Sequence, residues 1–486
     1  MSGGDFRRRS SNDDTIVPAT VVKRGHYGRG IAAGYHRCVT ALVQRYLDGI
    51  LAEHAAVSEG ALASYIPELA RVDPTMFGLS LSSADGYVYQ SGDAGIEFTM
   101  QSISKPFTYA LALDQLGQPA VDHRVGVEPS GEGFNKISVD QVTNVPKNAM
   151  INAGAIVACS LIPGKSVDER FALVRDFYSA CAGRSLDFDE DIYRSEWATC
   201  SRNRGIAYLL DSFGALSADP DEALDLYVRQ CSVKVNSVDL ARMAATLARG
   251  GLNPHSGQRV TDATVVRRTL SVMVTCGMYD AAGKWVSAVG LPAKSGVGGG
   301  ILAVLPGQLG IGVYSPRIDD KGNSVRGMLV CRSLSQQLGL HFLTVSSEAH
   351  SVIRGVFTPR SGVRVYQVHG ELLFTGAEQV IRTVIDDCAE YDTAIVDVSR
   401  LHAANAPARA LLAGLIEELP TVGKKGLLVD PDRKVAPDLA VQPVMVLDTV
   451  DDALVVAAEC DNQPPSRTHP AMISSVAAAS SGPEVR

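Results

Sequence analysis

The chain has 486 residues, 46% of them hydrophobic and 20% charged, with a formal net charge of −8. That length predicts two or three globular units, each large enough to bury a core. The acidic balance argues against a general binder of nucleic acid or anionic membrane, since either needs a dominant basic surface.

Residues 1–26 read as a disordered tail, polar in composition and carrying Arg7-Arg8-Arg9 as a solvated cluster. No apolar region follows these arginines, so no secretory signal is expected. No stretch approaches the roughly 18–20 apolar residues that span a bilayer. The nine cysteines form no C-x-x-C pair and are odd in number. That usage suits thiols kept reduced in a cytoplasm. No metal-binding cluster or nucleotide loop stands out.

Residues 27–345 form the first predicted domain. It opens on a helix, "GYHRCVTALVQRYLDGILAEH", followed by the hairpin "FGLSLSSADGYVYQSGD" turning at Asp85-Gly86. Helical patterns then dominate until "GGILAVLPGQLGIGVYSP", where two apolar runs flank a turn at Pro306-Gly307. Strands at both ends with helices between predict an α+β fold, an antiparallel sheet carrying a helical subdomain. Residues 346–362 read as a linker. Beyond it, 363–460 alternate strand and helix ("VRVYQVHGEL", "TGAEQVIRTVIDDCAEY", "TAIVDVS", "APARALLAGLIEEL", "KGLLVD", "TVDDALVVAAEC"), which predicts a small α/β domain with some parallel pairing. Residues 461–486 lack periodicity and read as a second disordered tail.

The stretch "FTMQSISKPFTYALALDQLG" contains the chain's only Ser-x-x-Lys, Ser102 and Lys105. Positions i and i+3 share a helix face, so hydroxyl and ammonium can meet. Pro106 is tolerable only in a first helical turn, which sets Ser102 at or just before a helix N-terminus. A free serine is a poor nucleophile, and a lysine can deprotonate it only if burial has lowered the amine's pKa. The other reading has Ser102 as a helix cap and Lys105 in solvent. A second element bears on the choice: Lys294-Ser295-Gly296 directly precedes an apolar strand. Serine acyl-transferases of the penicillin-recognising type combine S-x-x-K with a K-[ST]-G triad on a sheet-edge strand, although K-S-G alone could be a plain loop.

With "YIPELA", "QSISKPF", "EPSGEGFNKI", "NAMINAGAI", "SEWATCSRNRGIAYLL", "LDLYVRQCS", "GMYDAAGKW" and "GLPAKSGVGGGI" in order, residues 29–345 resemble the serine-dependent glutaminases, a family with a β-lactamase-like fold. The resemblance implies hydrolysis of L-glutamine to L-glutamate and ammonia without metal or organic cofactor. It implies Ser102 as nucleophile, Lys105 as base, and Tyr279 and Tyr65 as tyrosines beside the serine. The substrate would be held by Gln101, Asn152, Glu196, Asn203, Tyr227, Tyr279 and the backbone of Val297. These residue types suit a zwitterion: a carboxylate for its ammonium, neutral donors for its carboxylate. The family often has proline where this chain has Ala149. It commonly forms dimers or tetramers, so a homo-oligomer is implied.

Residues 363–460 resemble a STAS domain, the fold of anti-sigma-factor antagonists, through "VRVYQVHGELLFTGAEQVIRTVI" and "TAIVDVSRLHAANAPARALL". That implies a regulatory role or a protein partner. The family's phosphorylatable serine is missing, its segment here being Asn405, Ala406, Pro407 and Ala408. The competing functions are a related serine amidohydrolase or β-lactam-recognising enzyme, and a glutamine sensor without turnover.

Overall fold

The computed structural model describes residues 31–64, 66–131, 138–140, 142–343, 352–436 and 445–461. Tyr65, the expected tail 1–26 and residues 462–486 of the second expected tail lie outside them.

The first sheet contains β1 (Gly78–Ser83), β2 (Val88–Gly92), β5 (Ala293–Ser295), β6 (Gly300–Leu305) and β7 (Leu309–Tyr314), in the order β2-β1-β7-β6-β5 and antiparallel throughout. A separate short pair joins β3 (Phe98–Thr99) to β4 (Lys234–Val235). The chain's early and late segments thus close one sheet, and the helices between them form the second lobe. Both expected hairpin turns are present, with Gly86 and Gly307 at φ 100° and 77°. Such angles favour glycine at a tight turn.

β6 is buried on both faces, and its side chains divide with period two. Leu302 and Val304 join the core shared with Leu240, Met243 and Ala244 of the helix Ser237–Ala248. Ile301, Ala303 and Leu305 point the other way, into a core with Val43 and Leu47 of the helix Ile31–His54 and Val330 and Leu334 of the helix Val325–Leu338. The neighbouring β7 brings the helix Ser237–Ala248 so close that a Cβ on Gly312 would sit 2.1 Å from the Ser237 carbonyl oxygen. Any side chain there would force the helix off the sheet.

The second sheet is β12-β11-β10-β9-β8, from β8 (Ile353–Arg360), β9 (Val363–Leu372), β10 (Thr393–Ala404), β11 (Lys425–Val429) and β12 (Val446–Leu447). β9 to β12 are parallel and β8 is an antiparallel edge. Residues 353–360, read from sequence as linker, are therefore a strand of this sheet. The helices Phe374–Asp386 and Ala406–Glu418 cover one face and the helix Val450–Asp461 the other.

The two sheets are joined by more than the chain between them. Val380, Ile381, Val384, Leu411 and Leu412 share one continuous apolar core with Val43, Leu47 and the first sheet. Polar contacts reinforce it: Arg382 pairs with Asp85 at 2.6 Å and with Glu378 at 2.5 Å, and the Tyr89 hydroxyl donates to Glu378.

Candidate active site

Ser102 lies in a 3-10 turn, Gln101–Ser104, that runs directly into the helix Lys105–Leu116. Pro106 occupies the first turn of that helix, where no backbone donor is lost. Phe107, Ala110, Leu111 and Leu113 are buried along the helix, which fixes its orientation and that of the turn before it. The N-cap position belongs to Ser104, so Ser102 is not spent on capping. The turn begins with Gln101 at φ 50°, a left-handed backbone angle that a glutamine adopts only under constraint from its surroundings.

Lys105 is 1% exposed, which excludes the reading with its ammonium in solvent. Its Nζ donates to Asn152 Oδ1 at 2.6 Å and lies 5.9 Å from the centre of the Tyr227 ring. Asn152 opens the helix Asn152–Ser160, and its Nδ2 donates onward to Asn203 Oδ1 at 2.9 Å. Burial pushes Lys105 down to about 8; the weaker fields of Cys231, Glu196 and Cys159 pull upward.

Glu196 projects from the helix Glu190–Thr199 and is its one buried residue. Gln101 Nε2 donates to Glu196 Oε2 at 3.3 Å, tying the acid to the serine's own turn. Burial pushes the Glu196 carboxyl up to about 7, against the Gln101 hydrogen bond and the charge of Lys105, which lower it. An acid poised this way is stabilised as its anion by an arriving cation.

Tyr279 closes another side. It is buried, sits at φ 55°, and hydrogen-bonds Ser102. Its hydroxyl also lies 3.3 Å from the Ser295 carbonyl oxygen, to which Lys294 Nζ donates at 2.8 Å. The Lys294 Nζ stands 3.7 Å from the centre of the Tyr279 ring. Burial, followed by repulsion from Lys105, drives Lys294 far below the usual lysine range. After β5 the chain turns through Gly296 and Val297, the latter 4% exposed. A Cβ on Gly296 would meet the Met100 carbonyl oxygen at 2.7 Å, so only glycine lets this turn approach the residues before Ser102.

The structure thus brings Gln101, Ser102, Lys105, Asn152, Glu196, Asn203, Tyr227 and Tyr279 into one connected set, with Val297 on the turn beside it. Tyr65 lies outside the described residues. Sequence reasoning passes over a brace behind the turn: the Tyr178 hydroxyl donates to the Ser104 carbonyl oxygen at 2.9 Å and stands with Thr108 and Gln230 in a buried polar cluster. One signal is available, since Tyr227 and Gln230 are spaced i, i+3 on one helix. Among the described residues, no group of three or more His, Cys, Asp or Glu could hold a metal ion.

A family model described as Glutaminase matches residues 60–343. The chain belongs to the glutaminase family. It is 41% identical over 402 residues to a glutaminase of Corynebacterium glutamicum, covering 82% of this chain and 97% of that one. Against the glutaminase of Microcystis aeruginosa it is 48% identical over 303 residues, 62% of this chain and 90% of that one. Among solved structures, "Crystal Structure Analysis of Mglu" matches with TM-score 0.62 and 42% identity, over 80% of this chain and 98% of that chain. The enzyme is a glutaminase, an amidohydrolase, and the Microcystis relative is nearly spanned by a match covering under two thirds of this chain.

Proposed function

We propose that this glutaminase hydrolyses the side-chain amide of L-glutamine through a glutamyl ester on Ser102, with Lys105 as its base. The observation that carries the reading is the buried amine of Lys105, three residues from the serine, held by Asn152 and pushed down by burial to about 8. A neutral Lys105 takes the Ser102 proton as Oγ bonds to the amide carbon. Backbone N–H groups of Ser102 and Val297 receive the oxyanion. Collapse breaks the C–N bond, and Lys105 or Tyr279 delivers the proton that lets ammonia leave. Water then attacks the ester, giving back its proton through the same groups and releasing L-glutamate and free Ser102.

Substrate binding follows from charge. Glu196 takes the α-ammonium, while Asn152, Asn203 and Tyr227 offer neutral donors to the α-carboxylate; Gln101 holds Glu196 in place. Tyr65 is retained as a tyrosine beside the serine on the resemblance alone. No cofactor is required. The proposal includes a cytoplasmic location and a homo-oligomer; among the described residues no helix is long and apolar enough to cross a membrane. The second sheet, with its strand–helix alternation, is proposed as a STAS-like module that regulates the enzyme or contacts a partner protein.

Ser102→Ala tests the central claim. Ammonia release from glutamine should vanish while glutamine binding, read by calorimetry, persists. A wild-type chain that binds glutamine without releasing ammonia would instead be a sensor.

A further inference from the structure

The carboxyl end of the second sheet holds a cleft of about 510 Å³, lined by none of the residues in the chemistry above. Its lining includes Arg354, His369, Ser399, Arg400, His402 and Lys434, with no acidic residue. In a chain of net charge −8 this is a local concentration of positive charge. Topology explains the gathering. β9, β10 and β11 are parallel, so their carboxyl ends share one edge. His369 lies near the end of β9, Ser399 to His402 on the end of β10, and Lys434 on the turn after β11. Arg354 joins them from the start of antiparallel β8, whose Ile353 pairs with Val368.

Two features mark the cleft as a built site. The register of β10 against β9 breaks between Asp397 and Arg400 and again between Leu401 and Ala403. Breaks of this kind turn side chains away from the regular alternation, here over the stretch that supplies Ser399, Arg400 and His402. On the opposite wall, the buried Asp430 carboxylate accepts from the backbone N–H groups of Lys434, Val435 and Ala436 at 2.8 to 3.0 Å. That turn is thereby fixed with Lys434 Nζ on the Leu401 carbonyl oxygen at 2.6 Å and on Asp432 at 2.7 Å. The guanidinium groups of Arg354 and Arg400 are different. Neither makes a hydrogen bond or ion pair among the described residues, so both forks remain available.

We propose that this cleft binds a small anion bearing two or more linked phosphate groups. Guanidinium forks bind phosphate oxygens in pairs, which assigns the ligand contacts to Arg354 and Arg400, since Lys434 is already paired with Asp432. The Ser399 hydroxyl and the two imidazoles add donors. The volume is that of an ordinary metabolite site.

Calorimetric titration of the full chain tests this with three probes: pyrophosphate, inorganic phosphate and succinate. Pyrophosphate should saturate one site per chain, at least roughly ten-fold more tightly than either of the others. Replacing both arginines (Arg354→Gln with Arg400→Gln) should weaken pyrophosphate at least roughly ten-fold, since each loses a charge-assisted bond. Both side chains are exposed, so folding is spared, and a melting temperature equal to wild type checks this. Ser102→Ala should bind pyrophosphate as wild type does, which separates this site from the catalytic one. The proposal is overturned if pyrophosphate does not bind, if inorganic phosphate or succinate binds equally well, or if the double variant keeps wild-type affinity.

Discussion

Acidification from pH 8 to pH 6 perturbs the two groups on which the proposed chemistry depends, and it perturbs them in the same direction. Lys105 must be neutral to act as base, and it titrates at about 8 instead of its ordinary 10.5. At pH 7 it is then ~9% neutral, against ~0.03% for an unperturbed lysine, a roughly 300-fold gain in active base. Glu196 must be ionised to receive the substrate ammonium, and it titrates at about 7 in the free enzyme. Both requirements fail as pH falls. The parameter kcat/KM, which reports free-enzyme groups, should therefore drop ~500-fold between pH 8 and pH 6. In the complex the bound ammonium keeps Glu196 ionised, so kcat should lose only the Lys105 part, ~50-fold over the same range. The assay is glutamate formation quantified chromatographically in stopped reactions, free of pH-sensitive coupling enzymes. Nitrogen NMR of lysine-labelled enzyme reads the Lys105 titration without turnover. A kcat/KM profile that is flat from pH 6 to 8, or a Lys105 amine that stays protonated up to pH 10, would refute the reasoning.

Glu196→Gln keeps a partner for Gln101 but removes the charge, so KM should rise ~10- to 100-fold as an ion-assisted bond is lost. The same substitution removes a field that favours protonated Lys105, so the remaining limb of its pH profile should move to lower pH. Tyr279→Phe deletes the hydroxyl that bonds Ser102; kcat should fall ~100-fold or more with little change in KM, measured in the same assay. Arg382→Met leaves Glu378 buried beside Tyr89 without its cation, and should destabilise the whole chain by ~3–5 kcal/mol in urea titration. Separate transitions for the two sheets in that titration would contradict the shared core described above.

The parts of this molecule that are legible in its sequence are those whose cause is local. Ser102, Lys105 and Pro106 lie within five residues, and the helix rules acting on them need no distant information. The hairpins at Gly86 and Gly307 and the strand Val363–Leu372 are of the same kind. β8 is not legible, because its segment, "IRGVFTPR", carries a glycine, a proline and two arginines, with a pattern half exposed and nowhere fully buried that fits an edge strand and equally fits a linker. The bonds that hold Lys105 and Glu196 in the site are non-local. Asn152 reaches Asn203 across 51 residues and Gln101 reaches Glu196 across 95, so sequence spacing carries no trace of either bond.

The backbone angles of Gln101 and Tyr279 make the point more sharply. Both are left-handed, both flank the serine, and neither residue type signals it. Such angles are unfavourable by ~1–3 kcal/mol each and persist only where surrounding packing over-determines them. Here the packing is identifiable: Gly296 against Met100 on one side, Lys294 over the Tyr279 ring on the other. The K-S-G tripeptide therefore acts here through packing. Its lysine lies over the Tyr279 ring and its glycine packs against the residues next to Ser102, so the turn bearing Ser102 and the loop bearing Tyr279 share one wall. The burial of Lys105 beside Ser102 draws on the helices bearing Asn152 and Tyr227, and no segment of the chain carries it alone.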